Sequence, residues 1–260
     1  MSDRMTCQIA DGIADVRLNR ADKMNALDSA MLDAIAQTGA QLADTPGLRA
    51  VVLSGNGRAF CAGLDVASFA SIGSFDIMAR SHGRSNLFQH VAMLWRELPV
   101  PVIAALHGVC FGGGLQIALG ADVRIASPDT RLSVMEIKWG LVPDMGAFAL
   151  ARGLVRPDHL RALTYSGRQI DGREAAHIGL ITQLADDPHA TAMEMARDIA
   201  GRNPDAIRAA KRLFDLMEEG DAATLLRAES EAQRDIMARP NQREAVMAEM
   251  AGRKPQFADG

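Results

Sequence analysis

The sequence predicts an α/β fold, and three observations support that class. Up to about residue 130, apolar runs of strand length alternate with helical patterns, which is the arrangement of α/β proteins. After Ile181 nearly every segment has a helical pattern. With 260 residues, 48% of them hydrophobic, the chain is long enough to bury a sizeable core. We therefore predict an α/β core over residues 1–185 and a helical C-terminal region over residues 186–260.

The predicted elements of the core start with a hairpin at residues 7–20, where two alternating apolar runs flank Asp11-Gly12. A helix should follow over 26–44, with Asp28 or Ser29 as its N-cap. Apolar runs and helical periodicity then predict strands over 48–55, 101–108 and 122–127, and helices over 75–98 and 112–121.

The C-terminal region predicts successive helices in HATAMEMARDIAGR, NPDAIRAAKRLFDLMEEG and DAATLLRAESEAQRDIMARP. Pro204 stands where a proline suits the first helical position, and Gly220 where a helix stops.

Composition limits the function classes. A net charge of −4 argues against nucleic acid as the partner, because phosphate binding requires a basic surface. Three cysteines without a CxxC pair indicate reduced thiols, so we expect a cytoplasmic protein. The N-terminus has no apolar core of a secretory signal, and prolines and glycines interrupt the apolar stretch 98–114, so no membrane span is expected. The histidines lack metal-binding spacing, so no metal is expected.

Two small-residue turns follow predicted strands, RAFCAGLDV (58–66) and HGVCFGGGLQIALG (107–120). In the second, three glycines precede a helix whose first N–H groups lack intrahelical acceptors. Together the turns could hold one carbonyl oxygen between two amides, as in an oxyanion hole. Close packing is the alternative explanation of the glycines, and a nucleotide phosphate loop is disfavoured because neither GxGxxG nor GxxxxGK[ST] is present.

An ordered series of segments resembles the crotonase family, the enoyl-CoA hydratases and isomerases. The series comprises RADKMNALD, GRAFCAGLDV, HGVCFGGGLQIALGADVRIA, SVMEIKWGLVPDMG and SGRQIDGREAAHIGLI, and the resemblance extends over residues 5–258. It implies a spiral of ββα units with a helical trimerisation region, assembled as a homotrimer or a dimer of trimers. It also implies an acyl-CoA substrate, with coenzyme A entering as part of that substrate and no further cofactor.

The resemblance assigns roles to single residues. The two oxyanion amides fall on Ala62 and Gly113. The coenzyme A moiety would be lined by residues of two loops and of the C-terminal tail RKPQF, which in the family often serves a neighbouring subunit: Lys23, Ala26, Ala62, Gly63, Leu64, Asp65, Lys254 and Phe257.

The same resemblance locates the catalytic groups. Hydratases of the family use two glutamates to activate one water, and here the first position is Gln116 and the second is Glu136. Glutamine cannot exchange protons at neutral pH. Apolar neighbours of Glu136, such as Val134 and Ile137, should raise its pKa, which suits a group that takes and returns a proton.

Asp144 occupies a place where hydratases usually have glycine and dienoyl-CoA isomerases have a catalytic aspartate; a helix N-cap is the alternative role. A single carboxylate favours double-bond isomerisation through Glu136. The alternatives are hydration, then thioester hydrolysis or decarboxylation on the same scaffold, and a non-catalytic acyl-CoA binder. Segment 67–96 is expected to wall the acyl tail.

Overall fold

The computed structural model describes residues 3–68 and 75–259. A six-stranded sheet has the strand order β1-β2-β3-β4-β6-β8, and a smaller sheet pairs β5 with β7. The strands are β1 Met5–Ala10, β2 Ile13–Leu18, β3 Ala50–Gly55, β4 Val102–Leu106, β5 Val109–Phe111, β6 Val123–Ala126, β7 Arg131–Ser133 and β8 Gln183–Leu184.

The helices that the structure describes alternate with these strands and then follow one another. They are α1 Ser29–Ala43, α2 Leu87–Glu97, α3 Gly113–Leu119, α4 Ala147–Leu150, α5 Pro157–Ser166, α6 Gly172–His177, α7 Pro188–Ala200, α8 Pro204–Glu219, α9 Ala222–Ile236 and α10 Pro240–Met250. Short 3₁₀ turns lie at Ala21–Lys23, Val66–Ser68 and Glu136–Trp139.

The first two strands form the predicted hairpin, and the pairing then changes direction. β1 and β2 are antiparallel, whereas β2, β3, β4, β6 and β8 are mutually parallel. The carboxyl ends of β3 and β4 therefore meet at one edge of the sheet. Both glycine-containing turns start from that edge.

Local sequence signals account for most helix ends. The Asp28 side chain caps α1 by accepting from Met31 N, so Asp28 rather than Ser29 is the N-cap. Pro204 begins α8 and Gly220 ends it, as predicted. The predicted helix over 75–98 is wrong in its first half: α2 begins at Leu87, because Asn86 and Gln89 form a reciprocal capping box that fixes the start there.

The core lies on both faces of the large sheet. One face packs against α1, α2 and α3, with Trp95, Phe60 and Ile35 fully buried. The other face carries Val52 and Ile103, and it is covered by Ala192 and Ala196 of α7. The first helix after residue 185 is thus part of the core packing. Small alanines let that helix lie close to the strands.

The β5–β7 sheet was not predicted from the sequence, because each strand has only three residues. Its register pairs Val109 with Arg131 and Phe111 with Ser133. Gly112 N donates to Ser133 O at 3.0 Å, which fixes the start of α3. Within residues 3–68 and 75–259, no helix is both long and apolar enough to cross a bilayer.

Candidate active site

Backbone hydrogen bonds join the loop before α1 to the turn after β3. Leu27 N donates to Gly63 O at 2.8 Å, and Asp65 N donates to Leu27 O at 2.9 Å. The same turn is tied to β5, since Phe111 N donates to Cys61 O at 3.0 Å. The three segments therefore meet at the carboxyl edge of the sheet.

Asn25 holds the first two segments together and was not singled out from the sequence. Its side chain is fully buried, and its Nδ2 donates to Ala59 O at 2.9 Å and Phe60 O at 3.1 Å. Its Oδ1 accepts from Arg20 N at 2.8 Å, and its own φ is 55°. Asparagine tolerates this left-handed conformation better than most residues. The sequence feature that could have identified Asn25 was a polar residue inside the run KMNAL.

The hydrogen bonds of residues 61–65 decide which amide of this turn faces a ligand. Cys61 N donates to Val109 O, Ala62 N donates to Met24 O at 2.9 Å, and Asp65 N is bonded as above. Gly63 N points at the sulfur of Cys61, 3.4 Å away. In the described part of the chain only the Leu64 N–H of these five is without an acceptor. The sequence-based assignment of Ala62 is therefore wrong for this geometry, because its N–H is already used.

Gly113 supplies a second N–H without an acceptor among the described residues, since it opens α3. The two turns approach closely: a Cβ built on Gly63 would lie 3.7 Å from Gly113 N. The amides of Leu64 and Gly113 thus stand on facing turns, as an oxyanion hole requires.

Each glycine of the run at 112–114 has its own physical reason. Gly112 has φ 50°, and a Cβ there would lie 3.3 Å from Glu136 Oε1. A Cβ on Gly113 would lie 2.7 Å from the sulfur of Met145, and one on Gly114 would lie 2.6 Å from Cys61 Cβ. Close packing is therefore true of this run, and it coexists with an N–H at Gly113 that has no acceptor among the described residues.

Gln116 is buried and bonded at both ends of its side-chain amide. Its Oε1 accepts from Met145 N at 2.8 Å and from Ala147 N at 3.2 Å, and its Nε2 donates to Glu136 Oε1 at 2.6 Å. Two backbone donors at Oε1 fix which end of the amide faces Glu136. Gln116 therefore links α3, the loop before α4 and the carboxylate of Glu136.

Glu136 begins the 3₁₀ turn after β7, and its carboxyl is held asymmetrically. Oε1 accepts from Gln116, whereas Oε2 is buried without a hydrogen-bond partner in the described residues. Burial raises the pKa of Glu136; hydrogen bonds from its own backbone and from Gln116 oppose the rise, and the charge of Asp144 adds to it. Of the two apolar neighbours expected around this carboxyl, Val134 lines the cavity together with Gly112 and Leu115, whereas Ile137 is 46% exposed.

Asp144 lies near Glu136 without a hydrogen bond to it. The residue reaches solvent, yet desolvation by the surrounding protein raises its pKa. The helix that follows begins at Ala147 with Gly146 as N-cap and no side-chain cap. The alternative role of Asp144 as a helix cap is therefore excluded.

The loops predicted to line coenzyme A do come together. Ala26 and Lys23 precede Leu27, which pairs with the turn at 63–65, and the charge of Lys23 acts on Asp65. The Asp65 carboxylate itself pairs with Arg20 at 2.7 Å, so it holds the loop rather than pointing free into solvent.

The C-terminal tail lies away from the loops that were predicted to line coenzyme A with it. Arg49 pairs with Asp259 and donates to Phe257 O at 3.4 Å, and Asn241 exchanges two hydrogen bonds with Ala258. Arg49 directly precedes β3, whose six residues span about 17 Å. Phe257, and Lys254 three residues before it, are therefore at the opposite edge of the sheet from Leu64 and Gly113 of the same chain.

Cys61 is a packing residue. It is fully buried, and burial raises the pKa of its thiol to about 12. A thiol of that pKa holds almost no thiolate at neutral pH. Nucleophilic catalysis by Cys61 is thus disfavoured.

Comparison with known proteins gives the family. The family model described as enoyl-CoA hydratase/isomerase matches residues 8–260. The chain belongs to the enoyl-CoA hydratase/isomerase family. The resemblance found in the sequence motifs is therefore confirmed.

Relatives within this family differ in the reaction named for them. The chain is 29% identical to the 1,2-epoxyphenylacetyl-CoA isomerase of Escherichia coli (strain K12), over 99% of both chains. It is also 29% identical to the short-chain-enoyl-CoA hydratase of Clostridium acetobutylicum, over 93% of this chain and 92% of the relative. The crystal structure of an enoyl-CoA hydratase from Bacillus anthracis superposes with a TM-score of 0.89 at 28% identity, covering 98% of each chain. The crotonase-like α/β fold is thereby confirmed.

Proposed function

We propose that this family member is an enoyl-CoA isomerase that moves a double bond by passing one proton through Glu136. The amides of Leu64 and Gly113 would hold the thioester oxygen while negative charge develops on it. The observation that supports this most is that Gln116, which cannot exchange a proton, is bonded to Met145, Ala147 and Glu136. Glu136 is then the group in direct reach of the acyl chain that can exchange a proton.

The reaction balances with this single base. Ionised Glu136 takes a proton from C2 of a 3-enoyl-CoA, and the electron pair of that C–H bond forms the enolate stabilised by the two amides. The enolate electrons then shift, the double bond moves to C2–C3, and Glu136 returns the proton to C4 on the same face. The product has the mass of the substrate.

The asymmetric environment of Glu136 favours such a shuttle. Gln116 occupies Oε1 and leaves Oε2 as the oxygen that accepts and returns the proton. Burial raises the pKa of this carboxyl, which brings it closer to neutrality, where proton transfer in both directions is efficient.

Hydration of a 2-enoyl-CoA is the second candidate. A side-chain amide has two N–H groups, and Gln116 uses one of them on Glu136. The other could hold a water that Glu136 deprotonates. The name of the C. acetobutylicum relative, a short-chain-enoyl-CoA hydratase, is consistent with this alternative.

Product analysis separates the candidates. Purified protein is incubated with crotonyl-CoA, with a 3-enoyl-CoA and with a 3,5-dienoyl-CoA, and the products are followed by mass spectrometry. Isomerisation leaves the mass unchanged and hydration adds one water; release of free coenzyme A would indicate thioester hydrolysis, and loss of CO₂ decarboxylation. Rapid mass-neutral conversion of the 3-enoyl-CoA, with slower hydration of crotonyl-CoA, is expected. The reverse order would overturn the isomerase proposal in favour of hydration.

We also propose a homotrimer or a dimer of trimers. The C-terminal helices expose large apolar side chains, namely Phe214, Met217, Leu226, Met237, Met247 and Met250. The tail with Lys254 and Phe257 would then serve the site of a neighbouring copy, since it lies away from its own. A monomeric mass in light scattering at micromolar concentration would contradict this.

A further inference from the structure

An apolar groove runs along α5 beside the loop that follows Glu136. It has a volume of about 520 Å³. Its lining is almost entirely apolar, with Arg161 as its one charged member, and it includes Val142, Phe148, Leu160 and Thr164. Several of these side chains are strongly exposed, Val142 at 70% and Phe148 at 57%. Exposed apolar surface of this kind is typical of a binding site.

A small cavity lies beside this groove and contains groups of the candidate active site. Its lining includes Gly112, Gln116 and Glu136. It shares three wall residues with the groove: Phe148, Leu160 and Thr164. The groove is therefore one side-chain layer away from the space next to Glu136.

Phe148 is one of the three side chains that lie between the cavity and the groove. The inner cavity holds only about 10 Å³ of free volume, which is about the size of one water. Because more than half of the Phe148 side chain is exposed, rotation towards solvent would open a passage between them without disturbing the core.

The segment expected to wall the acyl tail is a less suitable route. Residues 69–74 lie outside the described part of the chain. Phe88 is 5% exposed and belongs to the hydrophobic core. Phe75 packs edge-on against Phe88 with ring centroids 5.6 Å apart, so these two rings stabilise each other.

We propose that the groove along α5 receives the distal part of a medium- or long-chain acyl group, with Phe148 controlling entry. This rests on the proposed function, because it takes the ligand to be an acyl-CoA whose reacting carbons lie at Glu136. Carbons beyond C4 then leave the catalytic centre between Phe148 and Leu160. Each buried methylene adds hydrophobic free energy, which corresponds to about a fourfold gain in affinity.

Binding of saturated acyl-CoA probes tests the proposal without requiring turnover. Calorimetry with butanoyl-, hexanoyl-, octanoyl- and decanoyl-CoA should show affinity rising by about fourfold per methylene until the groove is filled. Val142→Asp places a charge in the groove at an exposed position, and Leu160→Trp fills its inner part. Both variants should flatten the rise with chain length and leave butanoyl-CoA affinity unchanged. Phe148→Ala should steepen the rise by removing the barrier.

The controls use apolar positions outside the groove. Ile9→Trp, at a half-exposed site on β1, should leave the chain-length dependence unchanged. Met78→Trp examines the segment first expected to wall the tail. An unchanged rise in both Val142→Asp and Leu160→Trp would overturn the proposal, as would a flattened rise in Met78→Trp alone. A lower oligomeric mass of the groove variants with an unchanged rise would instead assign the groove to a contact between subunits, which also overturns it. Turnover of a short-chain substrate reports on the proposed function separately.

Discussion

Gln116 Nε2 donates to Glu136 Oε1 at 2.6 Å, while the other carboxyl oxygen of Glu136 is buried with no hydrogen-bond partner among residues 3–68 and 75–259. These two residues stand at the positions where the hydratases of the family have two glutamates. The carboxyl of Glu136 can exchange a proton, whereas the side-chain amide of Gln116 cannot.

The acid limb of the pH profile should move when Asp144 is neutralised. Glu136 must be ionised to take a proton, so kcat/KM falls as the pH drops through its pKa. The charge of Asp144 contributes to raising that pKa, so Asp144→Asn should shift the limb to lower pH. Asp158→Asn, which removes an exposed carboxylate paired with Arg156, is the matched control and should leave the limb in place. If the acid limb of kcat/KM in Asp144→Asn is unchanged, or moves to higher pH, then the charge of Asp144 does not raise the pKa of Glu136.

Replacing Glu136 should stabilise the fold at neutral pH. A carboxyl whose pKa is raised on folding contributes stability below its unfolded pKa and loses it as the pH rises through the folded pKa. Glu136 is such a group, and a rise of one pKa unit is equivalent to about 1.4 kcal/mol. Glu136→Gln should therefore have a higher Tm than the parent at pH 7. The gain should vanish towards pH 4; a variant less stable than the parent at pH 7 would show that burial of this charge carries no cost.

Gly112 should be required for the position of Glu136 as well as for the backbone. Gly112→Ala brings a Cβ to 3.3 Å from Glu136 Oε1. It must also adopt φ 50° and ψ −120°, a backbone region outside the left-handed helix that is nearly confined to glycine, with strain of about 1–3 kcal/mol. Gly153→Ala is the comparison, because Gly153 has φ 74° and no atom of the described residues lies within 4 Å of a built Cβ. Urea unfolding should show a loss of stability in both variants, larger in Gly112→Ala, whereas only Gly112→Ala should lose activity. Equal activity of the two variants would show that Gly112 is not required to position Glu136.

The tail should contribute to binding of the 3′-phosphate of coenzyme A through Lys254. A chain ending at Gly252, or Lys254→Ala, should bind coenzyme A more weakly than the parent, and the difference should shrink at high salt because charge is screened. Arg253 is paired with Glu244, so Arg253→Ala reports on tail packing and serves as the comparison. Equal affinity of the parent for coenzyme A and dephospho-coenzyme A would rule out a phosphate contact.

Local signals made much of the fold predictable. The hairpin at Asp11-Gly12 and the proline and glycine at the ends of α8 depend on a few adjacent residues. The start of α2 was missed because the reciprocal bonds of Asn86 and Gln89 override the apolar periodicity that continues before them. The family motifs predicted segments that the fold brings close together, since Leu27 pairs with the turn at 63–65 and Phe111 N donates to Cys61 O.

The finer geometry of the site could not be obtained from the sequence. Which amide of residues 61–65 is free depends on pairing with Met24 and Leu27, and that pairing is long-range. The role of Gln116 likewise depends on the loop at 145–147, which approaches α3 only in the folded chain.

The most direct test of Glu136 as the proton shuttle is the rate of Glu136→Gln on a 3-enoyl-CoA, measured together with coenzyme A affinity. The variant keeps shape and an oxygen for Gln116 but loses the exchangeable proton, so the rate should fall by about 10² to 10⁴ with affinity largely retained. Gln116→Ala should be milder on this isomerisation than on hydration of crotonyl-CoA, because only hydration needs a second group on the water. An active Glu136→Gln variant would contradict the account and make Asp144 the working carboxylate.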